Sequence, residues 1–185
     1  MPLSPTELAH YDSQGWLIPR TALSASEVAY YRVALDELIA ANPHTRPERL
    51  VSAHIEAGAA SSGTEGTTGD RRFMELAQHP AILDCVQQAI GPDFLCWGCQ
   101  VFAKPGRTGM EVPMHQDGNY WPIRPLTTCT VWIALDESDR ENGCLKGVCV
   151  CVCVLGEEKT QHTCNFGNVT EGGHGSLPQC HWYTS

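Results

Sequence analysis

Residues 112–145, VPMHQDGNYWPIRPLTTCTVWIALDESDRENGCL, decide the fold that we predict for this 185-residue chain. Within and around this stretch, three segments are rich in Val, Cys, Trp, Ile and Phe and are separated by Gly and Pro turns. That texture is typical of short strands. The predicted strands are Phe94–Phe102, Thr128–Leu135 and Leu145–Leu155. We therefore expect the second half of the chain to form an antiparallel sheet.

The first half of the chain shows start and stop signals for helices. Ser4-Pro5-Thr6-Glu7 and Ser24-Ala25-Ser26-Glu27 are capping boxes, and each is expected to open a helix. The first helix should end near Gly15, and the second should end at Asn42-Pro43. A third helix is predicted from Pro80 to Gly91. The buried face of the second helix is predicted from its i/i+3/i+4 spacing to comprise Val28, Tyr31, Leu35, Leu38 and Ile39.

Two shorter segments carry weaker signals. Trp16-Leu17-Ile18 is an apolar run closed by Pro19, which favours a short strand. Residues 58–69, GAASSGTEGTTG, are all small or polar and are expected to form a loop.

The composition restricts the class of protein. Twelve Lys and Arg residues against 21 Asp and Glu residues give a net charge of −9, which disfavours a nucleic-acid or anionic-membrane partner. No apolar run approaches the roughly 20 residues of a membrane span, and the N-terminus does not resemble a signal peptide. We expect a cytoplasmic protein. Its ten cysteines should then be free thiols or metal ligands rather than disulfides.

His115-Gln116-Asp117 is the first motif with a chemical mechanism. On an extended strand, residues i and i+2 point to the same side, so the imidazole and the carboxylate converge. With one further histidine they would form the facial triad that binds Fe(II) and leaves positions open for a cosubstrate and dioxygen. The tripeptide alone is also compatible with two polar residues on a surface strand.

The surrounding motifs make the interpretation more specific. His115-Gln116-Asp117 is followed by Tyr120-Trp121-Pro122, then by Thr130-Val131-Trp132 within a strand pattern, then by Glu141-Asn142-Gly143-Cys144-Leu145. In this order the motifs resemble the phytanoyl-CoA dioxygenase family of Fe(II)- and 2-oxoglutarate-dependent oxygenases. The resemblance covers residues 1–147.

The resemblance implies a fold, an activity and a set of site residues. The fold would be mostly β with N-terminal helices, a double-stranded β-helix or jelly roll of two antiparallel sheets. The activity would be hydroxylation of a small organic substrate, with Fe(II) as cofactor and 2-oxoglutarate and O2 as cosubstrates. His115 and Asp117 would bind the iron.

The remaining implied roles concern the cosubstrate and the substrate. Trp132, Gln116 and Gln100 would border the 2-oxoglutarate pocket, whereas Tyr120 and Trp121 would line the substrate side. Ordinary core packing is the alternative role for the three aromatic residues.

The family pattern stops after residue 147. The family's Pro-Gly-Ser-His turn is missing, and the last arginine is Arg140, so no later arginine is available to bind the far carboxylate of 2-oxoglutarate. His174, which lies 174 − 117 = 57 residues after Asp117, is the most family-like third iron ligand, and a loop histidine is its alternative. The predicted organisation is an incomplete family domain over residues 1–147 and an unrelated tail over 148–185. Whether the chain is active stays open.

The tail allows several interpretations. Residues 148–154 alternate valine and cysteine, as a translated GT repeat would, so one hypothesis is read-through of a splice donor into an intron. A second hypothesis is a Cys- and His-rich site for zinc or copper, and a third is a plain strand with thiols on one face. A non-catalytic truncated isoform that acts as an interaction protein is a further alternative. Neither the substrate nor the oligomeric state is indicated by the sequence.

Overall fold

The computed structural model describes residues 3–19, 23–56, 66–113, 115, 128–149, 162–165 and 176–184. The helices are α1 (Pro5–Gln14), α2 (Ala25–Ala41), α3 (Arg71–Ala77) and α4 (Pro80–Ile90), with a short 3-10 helix at Pro47–Arg49. The strands are β1 (Leu50–Val51), β2 (Phe94–Ala103), β3 (Thr128–Trp132), β4 (Lys146–Cys149), β5 (His162–Asn165) and β6 (Ser176–Thr184). Among these residues, no helix is long and apolar enough to cross a membrane.

The local capping signals determine where the first helices begin and end. In α1 the Ser4 hydroxyl accepts from the Glu7 backbone N–H at 3.3 Å, while the Glu7 carboxylate accepts from the Ser4 N–H at 2.7 Å. The same reciprocal pair opens α2 at Ser24. Gly15 ends α1 with φ 76°, a left-handed conformation that glycine adopts without a steric penalty. The predicted helices at these positions and at Pro80–Gly91 are confirmed.

Two local expectations need correction or addition. The predicted strand at Trp16-Leu17-Ile18 is wrong, because these residues are not in a strand. Instead the Trp16 ring packs edge-on against His10, with the ring centroids 4.7 Å apart. The separate helix α3 was not predicted; its N-cap is Asp70, whose side chain accepts from the Arg72 N–H. Most of the predicted loop at 58–69 lies outside the described residues.

The strands form two antiparallel sheets. One sheet has four strands in the order β1-β2-β6-β3, and the other consists of β4 and β5. The predicted strands after Phe94 are confirmed at β2, in shorter form at β3, and at β4 for the part of the third segment that the structure describes. Strand β6 was not predicted, although it lies between β2 and β3 and pairs with both. The family boundary proposed at residue 147 stays a prediction.

Strand β6 contains a proline at a position where the pairing permits one. The register with β3 ends at Gln179, whereas the register with β2 continues through Pro178 and Leu177 to Ser176. At Pro178, β6 is therefore paired with β2 on one side, and β3 no longer extends along its other side. A proline, which lacks the backbone N–H, is tolerated where a strand has one neighbour.

The helices pack on one face of the four-stranded sheet. Along β2, Cys99, Val101 and Ala103 are buried, whereas Gln100 and Phe102 between them are half-buried. Because alternate residues of a strand point to opposite faces, the helical layer covers the Cys99 face and leaves the Gln100 face on the other side. The core on the covered side is built from Tyr31, Ala34, Leu35, Leu38, Leu50, Ala53, Phe73, Leu76, Ala77, Ile82, Val86, Cys99, Val101, Ala103, Cys129, Ile133 and Leu135.

Candidate active site

His115 lies after β2, at the end of the loop formed by residues 104–113. Its side chain is exposed, and its Nδ1 lies 2.7 Å from the Pro113 carbonyl oxygen. Because a carbonyl oxygen can only accept, Nδ1 carries the proton in this contact. A metal ion would therefore be bound through Nε2.

The loop before His115 has a tightly turned start. The Gly109 N–H donates to the Pro105 carbonyl at 2.8 Å, and Arg107 adopts φ 67° within the turn. A Cβ on Gly109 would come within 2.9 Å of the Pro105 carbonyl oxygen and 3.0 Å of the Lys104 Cβ. The turn therefore requires glycine at this position, which fixes the direction in which the chain leaves β2.

Gln100 and Trp132 lie on one row of the sheet. Gln179 of β6 is the register partner of Gln100 in β2 and of Trp132 in β3. Residues that pair directly across antiparallel strands lie on the same face. With neighbouring strands about 4.8 Å apart, the two backbone positions are separated by roughly 10 Å. Gln100 and Trp132, which the family resemblance assigns to one pocket, thus lie on the same face of the sheet, opposite the helices.

The next row on the same face of the sheet, two residues along β6, contains a histidine of the tail. His181 of β6 is the register partner of Gly98 in β2 and of Thr130 in β3. It lies two residues from Gln179, so the backbone places it on the same face as Gln100 and Trp132. His162 instead lies in β5, in the other sheet, opposite Cys149. Sequence patterns gave no reason to prefer His181, since its row position depends on the pairing of β6 with strands far away in the chain.

Several expected site residues lie outside the described residues. They are Gln116, Asp117, Tyr120, Trp121 and His174. Within the part of the chain that the structure describes, no group of three or more His, Cys, Asp or Glu side chains could hold a metal ion. His115, Gln100 and Trp132 are thus the predicted site residues whose positions the structure gives.

The covered face of the sheet carries thiols that are not reactive nucleophiles. Burial, followed by the Cys129 thiol, raises the pKa of Tyr11, and burial likewise raises the pKa of Cys129. The neighbouring Cys99 thiol, followed by burial, raises the pKa of Cys96. These groups stay protonated at neutral pH, whereas nucleophilic cysteines need a lowered pKa. Cys85, Cys96, Cys99, Cys129 and Cys144 form no disulfide, as predicted for them.

The sequence matches a known family over most of its length. The family model described as "Phytanoyl-CoA dioxygenase (PhyH)" matches residues 11–148. A curated relative, the peroxisomal phytanoyl-CoA dioxygenase of Bos taurus, is 24% identical over 156 residues, covering 77% of this chain and 46% of the relative. A probable phytanoyl-CoA dioxygenase of Caenorhabditis elegans is 26% identical over 159 residues, covering 77% of this chain and 51% of that protein. The chain thus spans about half the length of the curated relatives it matches.

Solved structures share the fold at low sequence identity. EctD from S. alaskensis with bound Fe gives a TM-score of 0.67 at 18% identity, covering 99% of this chain and 71% of that one. The epimerase SnoN in complex with Fe3+, alpha ketoglutarate and nogalamycin RO gives a TM-score of 0.65 at 20% identity, covering 97% of this chain and 76% of that one. At these identities the similarity establishes the fold alone.

Proposed function

The chain belongs to the phytanoyl-CoA dioxygenase family, and on that premise we propose that it is an Fe(II)- and 2-oxoglutarate-dependent oxygenase that hydroxylates a small organic substrate. The observation that carries the proposal is the family match, which includes His115-Gln116-Asp117 and Trp132 within residues 11–148. The proposed domain is a double-stranded β-helix, in which the four-stranded sheet is one of the two sheets. The boundary of the family sequence pattern near residue 147 remains part of the proposal, and β6 (Ser176–Thr184) would then add a strand from the tail to this sheet.

The proposed iron site is built on His115. Its Nδ1–H donates to the Pro113 carbonyl, so Nε2 is the nitrogen proposed to bind the metal. Asp117 is proposed as the carboxylate ligand. For the third ligand the candidates are His174, on its distance from Asp117 along the chain, and His181, on its register position beside the row of Gln100 and Trp132.

The proposed cosubstrate pocket lies on the sheet face opposite the helices. Gln100 and Trp132 share one row there, and an amide with an indole can hydrogen-bond and pack against a small dicarboxylic acid. Gln116 is proposed to border this pocket, and Tyr120 and Trp121 are proposed to line the substrate side. The family resemblance also implies an arginine for the far carboxylate, and no arginine follows Arg140 in this sequence.

The chain's own residues would bind and orient the reactants rather than exchange protons with them. Bound iron would supply activation of O2, with 2-oxoglutarate oxidised to succinate and CO2. The Pro113 carbonyl holds the Nδ1 proton of His115 and thereby fixes the ring orientation. This division of work needs no nucleophilic side chain, in agreement with the raised pKa of Cys96 and of Cys129.

The test is Fe(II) binding under anaerobic conditions, followed by succinate release on addition of 2-oxoglutarate and O2. We expect His115→Ala to weaken Fe(II) binding by more than about 100-fold, since loss of outer-shell partners alone costs 10–100-fold. The matched control is His44→Ala, an exposed histidine in the turn after α2, which should bind iron as the wild type does. Comparing His174→Ala with His181→Ala identifies the third ligand.

Other outcomes point to the alternative functions. Iron binding that is unchanged in His115→Ala would contradict the proposed site. Iron binding without succinate release would favour a non-catalytic interaction protein. Tight zinc binding that disappears when residues 149–185 are deleted, together with weak iron binding, would favour a metal-binding tail.

A further inference from the structure

The 3-10 helix before β1 carries a carboxylate in an unusual environment. Glu48 is 5% exposed, and its side chain is 2% exposed, although charged side chains are almost never fully buried unless they are paired. Its partner is Arg46, whose Nη2 lies 2.9 Å from the Glu48 Oε1. The pairing with Arg46 lowers the pKa of Glu48, so the carboxylate is ionised at neutral pH. Because a buried ion pair is weak support for stability on its own, its role calls for another explanation.

Both members of the pair bind the backbone of the loop that leads to His115. The Met110 N–H donates to the Glu48 Oε1 at 3.1 Å. The Arg46 Nη2 donates to the Thr108 carbonyl oxygen at 2.9 Å, in addition to its contact with Glu48. The pair therefore holds one donor and one acceptor of the same short segment. We call Arg46 and Glu48, with these two contacts, the loop clamp.

The loop clamp is fixed to the sheet from which the loop departs. The 3-10 helix continues directly into β1, and β1 pairs with β2 through Leu50↔Val101 and Val51↔Gln100. The loop leaves β2 after Ala103 and is held again at residues 108 and 110. The start of the loop and its residues 108 and 110 are thus both attached to the unit formed by the 3-10 helix, β1 and β2. Residue 110 lies five residues before His115.

We propose that the loop clamp of Arg46 and Glu48 positions His115 for metal binding, so that both are positioning residues of the iron site. The inference rests on the proposed function for its metal, but the clamp itself is defined by contacts of the protein alone. Residue 110 is fixed by Glu48, and three residues later the Pro113 carbonyl orients the His115 ring. Without the contact between Glu48 and residue 110, the loop would let both Pro113 and His115 move away from the sheet.

The test measures two properties of His115 in Glu48→Gln. The first is the Fe(II) dissociation constant under anaerobic conditions, which we expect to rise about 10-fold or more, as for other residues that orient a metal ligand. The second is the pair of ring nitrogen signals of His115 in the metal-free protein labelled with 15N-histidine. We expect the wild type to show the Nδ1–H form and Glu48→Gln to show a mixture of the two neutral forms.

Two further variants separate positioning from general stability. Asp70→Asn removes the charge of a comparable ion pair, in which the Asp70 side chain is 20% exposed and contacts Arg72, far along the chain from the loop. This variant should lower the melting temperature but leave iron binding and the His115 signals unchanged. Arg46→Lys keeps the charge at a side chain that is 49% exposed, so it should fold even if Glu48→Gln does not. It loses the planar fork that reaches both Glu48 and Thr108, and we expect it to change His115 in the same direction.

Each outcome bears on one proposal. Unchanged iron binding and unchanged His115 signals in folded Glu48→Gln, or in Arg46→Lys, would overturn the clamp while the proposed oxygenase function stands. Absence of iron binding in the wild type would overturn the proposed function, and the nitrogen signals would then still test the clamp. If Asp70→Asn and Glu48→Gln affected His115 equally, general destabilisation would explain both effects. That result would also overturn the proposed role of the loop clamp.

Discussion

At the scale of single residues, the sequence predicts contacts that lie within a few residues of one another. The capping boxes at Ser4 and Ser24 are confirmed because both partners belong to the same helical turn. The contact between Glu48 and Met110 could not be predicted, since its partners are separated by 62 residues and neither belongs to a recognisable motif. For Gln100, the family resemblance implied a role at the cosubstrate pocket but not a position in the sheet. That position depends on the register between β2 and β6, which the sequence does not show.

Glu27 is a residue whose local and long-range contacts act together. Its carboxylate accepts from the Ser24 N–H at 2.7 Å and lies 2.9 Å from the Nε2 of His79, the N-cap of α4. The His79 Nδ1 accepts from the Ala81 N–H, so Nε2 is the nitrogen that donates to Glu27. These contacts, first those with Ser24 and then that with His79, lower the pKa of Glu27 from 4.5 to about 2.

The lowered pKa of Glu27 predicts a pH-dependent contribution to stability. A carboxylate with a lowered folded-state pKa stabilises the protein above its unfolded pKa and loses that effect as the pH falls through the folded value. Glu27→Gln should therefore lower the melting temperature at neutral pH, and the difference from the wild type should shrink between pH 4.5 and about pH 2. Thermal melts over this range check it. Asp93→Asn, an exposed carboxylate before β2, is the control, and a pH-independent difference for Glu27→Gln would contradict the prediction.

At the scale of elements, apolar periodicity identifies helices better than it identifies strand pairing. Of the five positions predicted to be buried in α2, Tyr31, Leu35 and Leu38 are buried, and Ala34 is buried in addition. The spacing succeeds because one face of a helix meets one layer of the core. It failed at Trp16-Leu17-Ile18, where an apolar run has strand texture but no neighbouring strand with which to pair.

The two faces of α2 predict opposite results for similar substitutions. Leu35 is 0% exposed, so Leu35→Ala should lower the free energy of unfolding by about 2–5 kcal/mol through lost contacts and a cavity. Val33, on the same helix, is 53% exposed, so Val33→Ala should change it by less than about 0.5 kcal/mol. Urea denaturation measures both. Similar losses for the two variants would mean that the Val33 face is also covered.

At the scale of the whole molecule, the sheet joins segments that the sequence separates. The family match ends at residue 148, whereas β6 spans Ser176–Thr184 and lies between β2 and β3. The sequence predicted β2 and β3 from their composition, but it gave no sign that a strand from the tail would lie between them. Such a placement depends on the pairing of distant segments, which local pattern and propensity do not contain.

A pair of proline substitutions tests whether β6 is a central strand. Cys180 has register partners on both sides, Cys99 in β2 and Val131 in β3, whereas Ser176 is the first residue of the strand and pairs with Ala103. Proline is tolerated at the first residue of a strand but removes a ladder hydrogen bond inside a sheet. Cys180→Pro should therefore lower the free energy of unfolding by roughly 1–3 kcal/mol, the cost of leaving a buried group without its hydrogen bond.

Ser176→Pro should leave the free energy of unfolding nearly unchanged, and circular dichroism during urea denaturation measures both variants. A large difference between them means that residues after 148 contribute to the folded unit even if they lie outside the family domain. Equal stability of Cys180→Pro and the wild type would contradict the central position of β6. In that case β2 and β3 would need another strand between them, and the row that joins Gln100 to Trp132 would have to be formed differently.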